Sequence, residues 1–230
     1  MVEFSNRING ILEHIAAAAQ RSGRKASDVT LVAVSKTKPL EMVIEAAKTG
    51  LVSHFGENKV QEGQIKIPAF PEDLKACWHL IGHLQRNKAR KALELFNIIE
   101  SLDSEELASA LERICAESDR RMDVLIEVNS SGEESKTGIA MDKAPALLDF
   151  LCEKCPHVSP LGLMTVGPLG GDEKAVRGAF AATRELREKM RTSSGLALPM
   201  LSMGMSGDFE KAIEEGSTEV RVGTSIFGQR

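Results

Sequence analysis

An α/β fold closed into a single-domain (β/α)8 barrel over residues 1–230 is predicted by three features of this sequence. Eight apolar, β-like runs alternate with segments of helical periodicity, glycines stand where helices should stop, and no low-complexity linker divides the chain. Strict alternation implies parallel strands joined by right-handed crossovers. Eight such strands fit a closed barrel better than an open sheet.

The elements follow in order. The opening stretch MVEFSNRINGILEHIAAAAQRSGRK scatters Glu3, Arg7, Glu13 and His14 among apolar positions. It lacks the cationic start and apolar block of a secretory signal and predicts an amphipathic helix over about 2–22. VTLVAVSK (29–36) is a buried strand, and Pro39 opens a helix at 40–49 that Gly50 ends. LVSHFGEN (51–58) precedes a helix at 58–66, CWHLIGH (77–83) one at 86–95, and NIIESLD (97–103) one at 104–118. Ser104 followed by Glu105 and Glu106 marks that last start, because a hydroxyl cap and acids suit the positive end of the helix dipole. DVLIEVN (123–129), PLGLMTV (160–166), PMLSMGMS (199–206) and EVRVGTSIF (219–227) complete the strands, with helices at 142–155, 172–192 and 208–215 between them. Gly195 and Gly216 stand at the ends of the last two helices.

Composition excludes several function classes. Net charge is −4 and no Lys/Arg run carries interleaved aromatics, so a nucleic-acid partner is not expected. No stretch reaches the roughly 18 apolar residues that read as a membrane span. Four scattered cysteines do not make a disulfide scaffold, and a cytoplasmic location is expected. Cys152 and Cys155 form one C-x-x-C beside His157; without a second ligand pair they read as reduced cysteines ending a helix, so no metal site is expected. The methionines are dispersed and read as core filler. Trp78 and His79 read as packing residues of the third strand.

Active sites of such barrels lie at the carboxyl ends of the strands. Here those ends carry Lys36, Asn58, His83, Asp103, Asn129, the Met164–Thr165 region, Ser206, and then Arg221, Gly223 and Thr224. SMGMSGD and RVGTSIFG place small and hydroxyl-bearing residues after the seventh and eighth strands, the usual phosphate position of the fold. Lys36 faces that cradle across the mouth. Burial and the nearby Arg221 both disfavour its ammonium, and a neutral amine attacks an aldehyde to give a Schiff base. A phosphorylated aldehyde that uses a lysine suggests pyridoxal 5′-phosphate (PLP). Two other readings stay open on the residues alone: a surface lysine that terminates a strand, and an aldolase-type lysine in a sugar-phosphate enzyme.

An ordered set of motifs narrows the choice: VAVSKTKP (32–39), FGENKVQE (55–62), WHLIGHLQRNK (78–88), EVNSSGEESKTGI (127–139), GLMTVGP (162–168) and LSMGMSGDFEKAIEEGSTEVRVGTSIFG (201–228). Across nearly its whole length the chain resembles the pyridoxal phosphate homeostasis proteins, whose barrel is similar to the N-terminal domain of alanine racemase. The resemblance implies PLP held as an aldimine on Lys36, with Ser206, Gly223 and Thr224 on its phosphate. It implies Arg221 at the pyridine nitrogen and Asn58, His83 and Met205 near the cofactor. An arginine there donates but does not accept a proton, which weakens electron withdrawal by the ring.

A racemase of this barrel type uses a tyrosine opposite its lysine, and the chain contains no tyrosine. The expected role is therefore non-catalytic PLP binding in intracellular vitamin B6 homeostasis, with a slow one-base racemase as the alternative. PLP-dependent apoenzymes are transient partners on this reading, and a monomer is expected. Lys136 reads as a solvated loop lysine, with a second PLP-accepting lysine as the sharper alternative. The last helix of the barrel looks short or missing, and the helix at 2–22 is expected in its place.

Overall fold

The computed structural model describes residues 2–133, 136–168 and 170–229. Its barrel is built from eight parallel strands: β1 (Thr30–Val34), β2 (His54–Glu57), β3 (Cys77–Leu80), β4 (Ile98–Leu102), β5 (Met122–Asn129), β7 (Val158–Met164), β8 (Met200–Met205) and β9 (Glu219–Val222). They pair in the order β4-β3-β2-β1-β9-β8-β7-β5, and β4 also pairs with β5, which closes the cylinder. The two-residue β6 (Ile139–Ala140), absent from the sequence reading, lies beside the end of β5.

Between the strands run α2 (Leu40–Ala47), α3 (Val60–Lys66), α4 (Ala89–Leu95), α5 (Glu105–Ser118), α6 (Ala144–Lys154), α7 (Glu173–Ser194) and α8 (Phe209–Glu214). The Ser104 hydroxyl accepts the Leu107 N–H at the start of α5, and Gly195 closes α7 with φ 71°. One expectation needs correction. The eighth strand does not run from 219 to 227: it ends at Val222, and Thr224–Phe227 form the single helical turn α9. Gly223 O accepts the N–H of Ile226 and Phe227, which turns the chain away from the strand direction at the end of β9.

The amphipathic helix α1 (Val2–Arg21) buries Phe4, Ile8, Ile11 and Ile15 at helical spacing. Each such side chain contributes about 1.5–3 kcal/mol relative to exposure. The helix lies against α8, α9 and α2, the place a full eighth helix would take. Arg21 bonds Glu214 (2.6 Å) and Glu210 (2.8 Å), Arg7 donates to Ile226 O (3.1 Å), and Phe4 meets the Phe227 ring at 5.9 Å.

Candidate functional site

Alternation along a strand decides which side chains enter the barrel. On β1, Val32 and Val34 face inward, and the same parity carried two residues on aims Lys36 at the mouth. Its backbone is held from outside the cylinder. The Ser35 hydroxyl donates to Glu57 Oε1 (2.6 Å), and Lys66 Nζ donates both to that oxygen (2.7 Å) and to Ser35 O (2.7 Å). All three residues are buried. Burial pushes the Glu57 carboxyl up, against hydrogen bonds from Lys66 and Ser35 that pull it down. Directly after Lys36, Thr37 sits at φ 63°, a costly conformation for a β-branched residue, and its N–H donates to Glu62 Oε2 (2.6 Å).

The opposite wall is set by a bulge. Pairing of β8 with β9 shifts register between Ser202 and Met205, and Gly204 there has φ 98° with its α-carbon against α8. A Cβ at Gly204 would lie 2.6 Å from Ala212 Cβ and 2.9 Å from the Phe209 Cα, so only glycine fits. The bulge brings Met205 and Ser206 to the cavity together, and the Ser206 hydroxyl accepts the Gly223 N–H (3.4 Å).

Lys36, Thr37, Lys38, Met205, Ser206, Gly207, Arg221, Gly223 and Thr224, with Val34, Ile81 and Gly228, line one cavity of about 260 Å³. Three of these residues are cationic and none carries a carboxylate. Arg221 is 4 % exposed. Its guanidinium donates to Ser202 Oγ (2.5 Å) and Thr165 O (2.8 Å) and lies 3.8 Å from Glu100.

Six of the eight residues singled out in the sequence therefore meet in this cavity, and two do not. Asn58 and His83 line a neighbouring depression with Lys59, Gln61, Gln85 and Lys88. The His83 ring lies 3.2 Å from Asp103 Oδ2 and is half exposed. Gly82 permits this crossing of the tips of β2 and β3, since a Cβ there would stand 2.3 Å from Asn58 O. The Lys136 side chain is not solvated: it donates to Gly167 O (2.7 Å), pairs with Glu133 (2.8 Å) and is 11 % exposed. Glu134 and Ser135 of the same motif lie outside the described residues.

Below the mouth a polar chain crosses the barrel interior, which the sequence reading missed. Glu100 on β4 accepts from Ser202 Oγ (2.7 Å) and bonds His79 Nδ1 (2.7 Å); the far nitrogen of His79 meets His54 Nδ1 at 2.9 Å, and Cys77 lies beside both rings. Burial alone would push the Glu100 carboxyl up, but the bond from His79 and the charges of His79 and Arg221 hold it below its ordinary value. Glu219 is pushed up to about 8 by burial and by the charge of Glu100. Burial would also raise the Cys77 thiol; hydrogen bonds from the two imidazoles outweigh it and bring the thiol down to about 6. The signal for this network was present as acids inside apolar strands, at Glu100 and Glu219.

Comparison with known proteins supplies a setting for this geometry. The sequence model described as alanine racemase, N-terminal domain, matches residues 11–230. A pyridoxal phosphate homeostasis protein of Aquifex aeolicus is 42% identical over 224 residues, covering 97% of each chain. The solved structure of PipY from Synechococcus elongatus with PLP bound has a TM-score of 0.81 at 38% identity, covering 95% of this chain and 100% of that one. An alanine racemase of Clostridium difficile shares the fold at TM-score 0.75 and 13% identity, and this chain covers 57% of its length.

Proposed function

Because this chain belongs to the pyridoxal phosphate homeostasis protein family, we propose that it binds PLP at the barrel mouth and serves vitamin B6 homeostasis without catalytic turnover. The observation that carries this reading is the lining of the cavity: two amines, a guanidinium, three hydroxyls and the backbone of Gly207 and Gly223, with no carboxylate. That donor set suits a phosphorylated, electron-poor aldehyde. Lys36 is the covalent anchor, through a Schiff base between its amine and the aldehyde carbon. Ser206, Thr224 and the Gly223 backbone hold the phosphate. Arg221, fixed by Ser202 and Thr165, directs an N–H donor at the ring nitrogen and takes no proton from it. Met205 packs beside the ring, while Asn58 and His83 serve at the rim.

When bound, PLP supplies an electrophilic carbon and an electron-withdrawing ring. What this chain withholds is a second general base, since it contains no tyrosine. A cytoplasmic monomer that passes PLP transiently to apoenzymes completes the proposal. No described helix is long and apolar enough to cross a membrane.

Absorbance of the purified protein tests the site. PLP-loaded protein is expected to show the visible band of an imine, and borohydride followed by peptide mapping is expected to place the reduced adduct on Lys36. Lys36→Ala should abolish the band; a full band in that variant rejects the lysine. Panels for racemase, transaminase and decarboxylase activity should stay at background, and robust turnover of any amino acid would overturn the non-catalytic assignment.

A further inference from the structure

The amino end of the barrel presents a second, chemically different group. Register pairs His54 on β2 with Cys77 on β3, and Cys77 and His79 are two residues apart, so all three side chains share the inward face. One donor atom from each lies within 4.8 Å of the other two. His54 and Cys77 are part-exposed, which leaves an entry path, while His79 is buried at the inner end.

We propose that His54 Nδ1, Cys77 Sγ and His79 Nε2 form a binding site for a zinc-class divalent ion at the floor of the barrel. Two imidazoles and a thiolate are the ligands of tetrahedral zinc, with a fourth position left to solvent. The set is too soft and too nitrogen-rich for magnesium or calcium. The rings are already close to the required separation. Zinc–nitrogen distances of about 2.0–2.1 Å in a tetrahedron put two nitrogens roughly 3.3 Å apart, against 2.9 Å for the present His54–His79 contact. The ion takes the place of the proton shared between the rings, and the thiol and ring protons pass to solvent.

The surroundings point the same way. His79 Nδ1 bonds Glu100 at 2.7 Å, which leaves Nε2 as the ligating nitrogen and reproduces the carboxylate–histidine–metal arrangement. On that same side Glu219 lies 3.8 Å from Nδ1, 1 % exposed, with neither carboxylate oxygen hydrogen-bonded. Orphaned buried acceptors are rare and call for a reason. A cation at Nε2 supplies one, because it adds positive charge across the ring from Glu219 and strengthens the Nδ1–H bond to Glu100. The three ligands stand toward the amino ends of β2 and β3, away from the cavity at the mouth.

The test uses the full chain, freed of metal with EDTA and titrated with zinc chloride by calorimetry, with bound metal counted afterwards. Wild type is expected to take up about one equivalent per chain, to melt at a higher temperature with zinc, and with cobalt(II) to show a thiolate charge-transfer band. Cys77→Ser and His54→Ala, at part-exposed positions, should each weaken zinc roughly 100-fold and lose the cobalt band. Cys152→Ala, in the C-x-x-C, should bind as wild type does. Circular dichroism confirms that each variant is folded; should either ligand variant unfold, wild type alkylated at Cys77 before cobalt is added should likewise lack the band. Absence of saturable zinc uptake by wild type overturns the site, as does unchanged affinity in Cys77→Ser or a loss confined to Cys152→Ala.

Discussion

The two ends of this barrel share one backbone and carry opposite chemistry. The mouth cavity is lined by Lys36, Lys38 and Arg221 with hydroxyls and no carboxylate, whereas the floor gathers Glu100, Glu219, two imidazoles and a thiol. Arg221 is the joint, since it lines the cavity while its guanidinium leans on Ser202 and approaches Glu100. Inward-facing positions a single step apart on β9 thus separate an anion-accepting surface from an acidic interior. The lesson is that a parallel barrel can keep two sites of opposite charge apart because strand alternation fixes both, and a buried guanidinium neutralises the boundary between them.

The comparison breaks most strongly at the support of the mouth. Lys66→Met removes one partner of the buried Glu57 pair and leaves that carboxylate unpaired behind Lys36, an effect of about 3–5 kcal/mol. Thermal and denaturant unfolding are expected to show a loss of that size, with PLP capture weakened in the folded fraction; a loss under 1 kcal/mol on the order of an exposed pair would mean that the platform contributes nothing special. A smaller effect is expected from Ser206→Ala. Loss of one hydrogen bond to a charged group costs about 1.5–3 kcal/mol, so PLP should dissociate more readily, roughly tenfold or beyond, while covalent capture by Lys36 persists. An unchanged dissociation constant would remove Ser206 from the cradle.

The mildest probe reads the floor alone. In EDTA-treated protein, Cys77 should be largely thiolate at neutral pH, because its thiol is brought down to about 6, whereas burial raises Cys115 and Cys155 to about 11. Alkylation of Cys77 should therefore fall as pH drops below about 6 and level off above it, while the two buried cysteines stay slow throughout. Mass-spectrometric mapping of iodoacetamide adducts across that range checks it. Equal rates at all three cysteines would show that the imidazoles do not set the floor's electrostatics.

Much of the fold was legible because alternation of apolar runs and helical segments is a one-dimensional signal. The eight strands and the amphipathic helix at the start follow from it. Lys36 was legible as the polar residue at the carboxyl end of an apolar run, where sites of such barrels lie. Three things escaped. The end of β9 was read through to residue 227, because Ile226 and Phe227 are as apolar as strand residues and only the turn at Gly223 distinguishes them. The division of the strand tips into two depressions was not visible either: Asn58 and His83 line one and Lys36 the other, and a Cβ at Gly82 would stand against Asn58 O. Long-range pairs such as Lys66 with Ser35, or Glu100 with Ser202, join positions whose partners no local pattern names. Sequence periodicity says which way a side chain points and not what it meets there.

The placement of α1 bears on how the chain is made. Its polar and aromatic partners, Glu210, Glu214 and Phe227, lie about 190 or more positions downstream. During synthesis this helix precedes α8 and α9, so Phe4, Ile8, Ile11 and Ile15 gain that part of their cover only once those elements are made. Burial of α1 thus depends on contacts of long sequence separation, which carry a loop-closure cost. Until those contacts form, the nascent chain exposes the kind of apolar helical stripe that chaperones recognise.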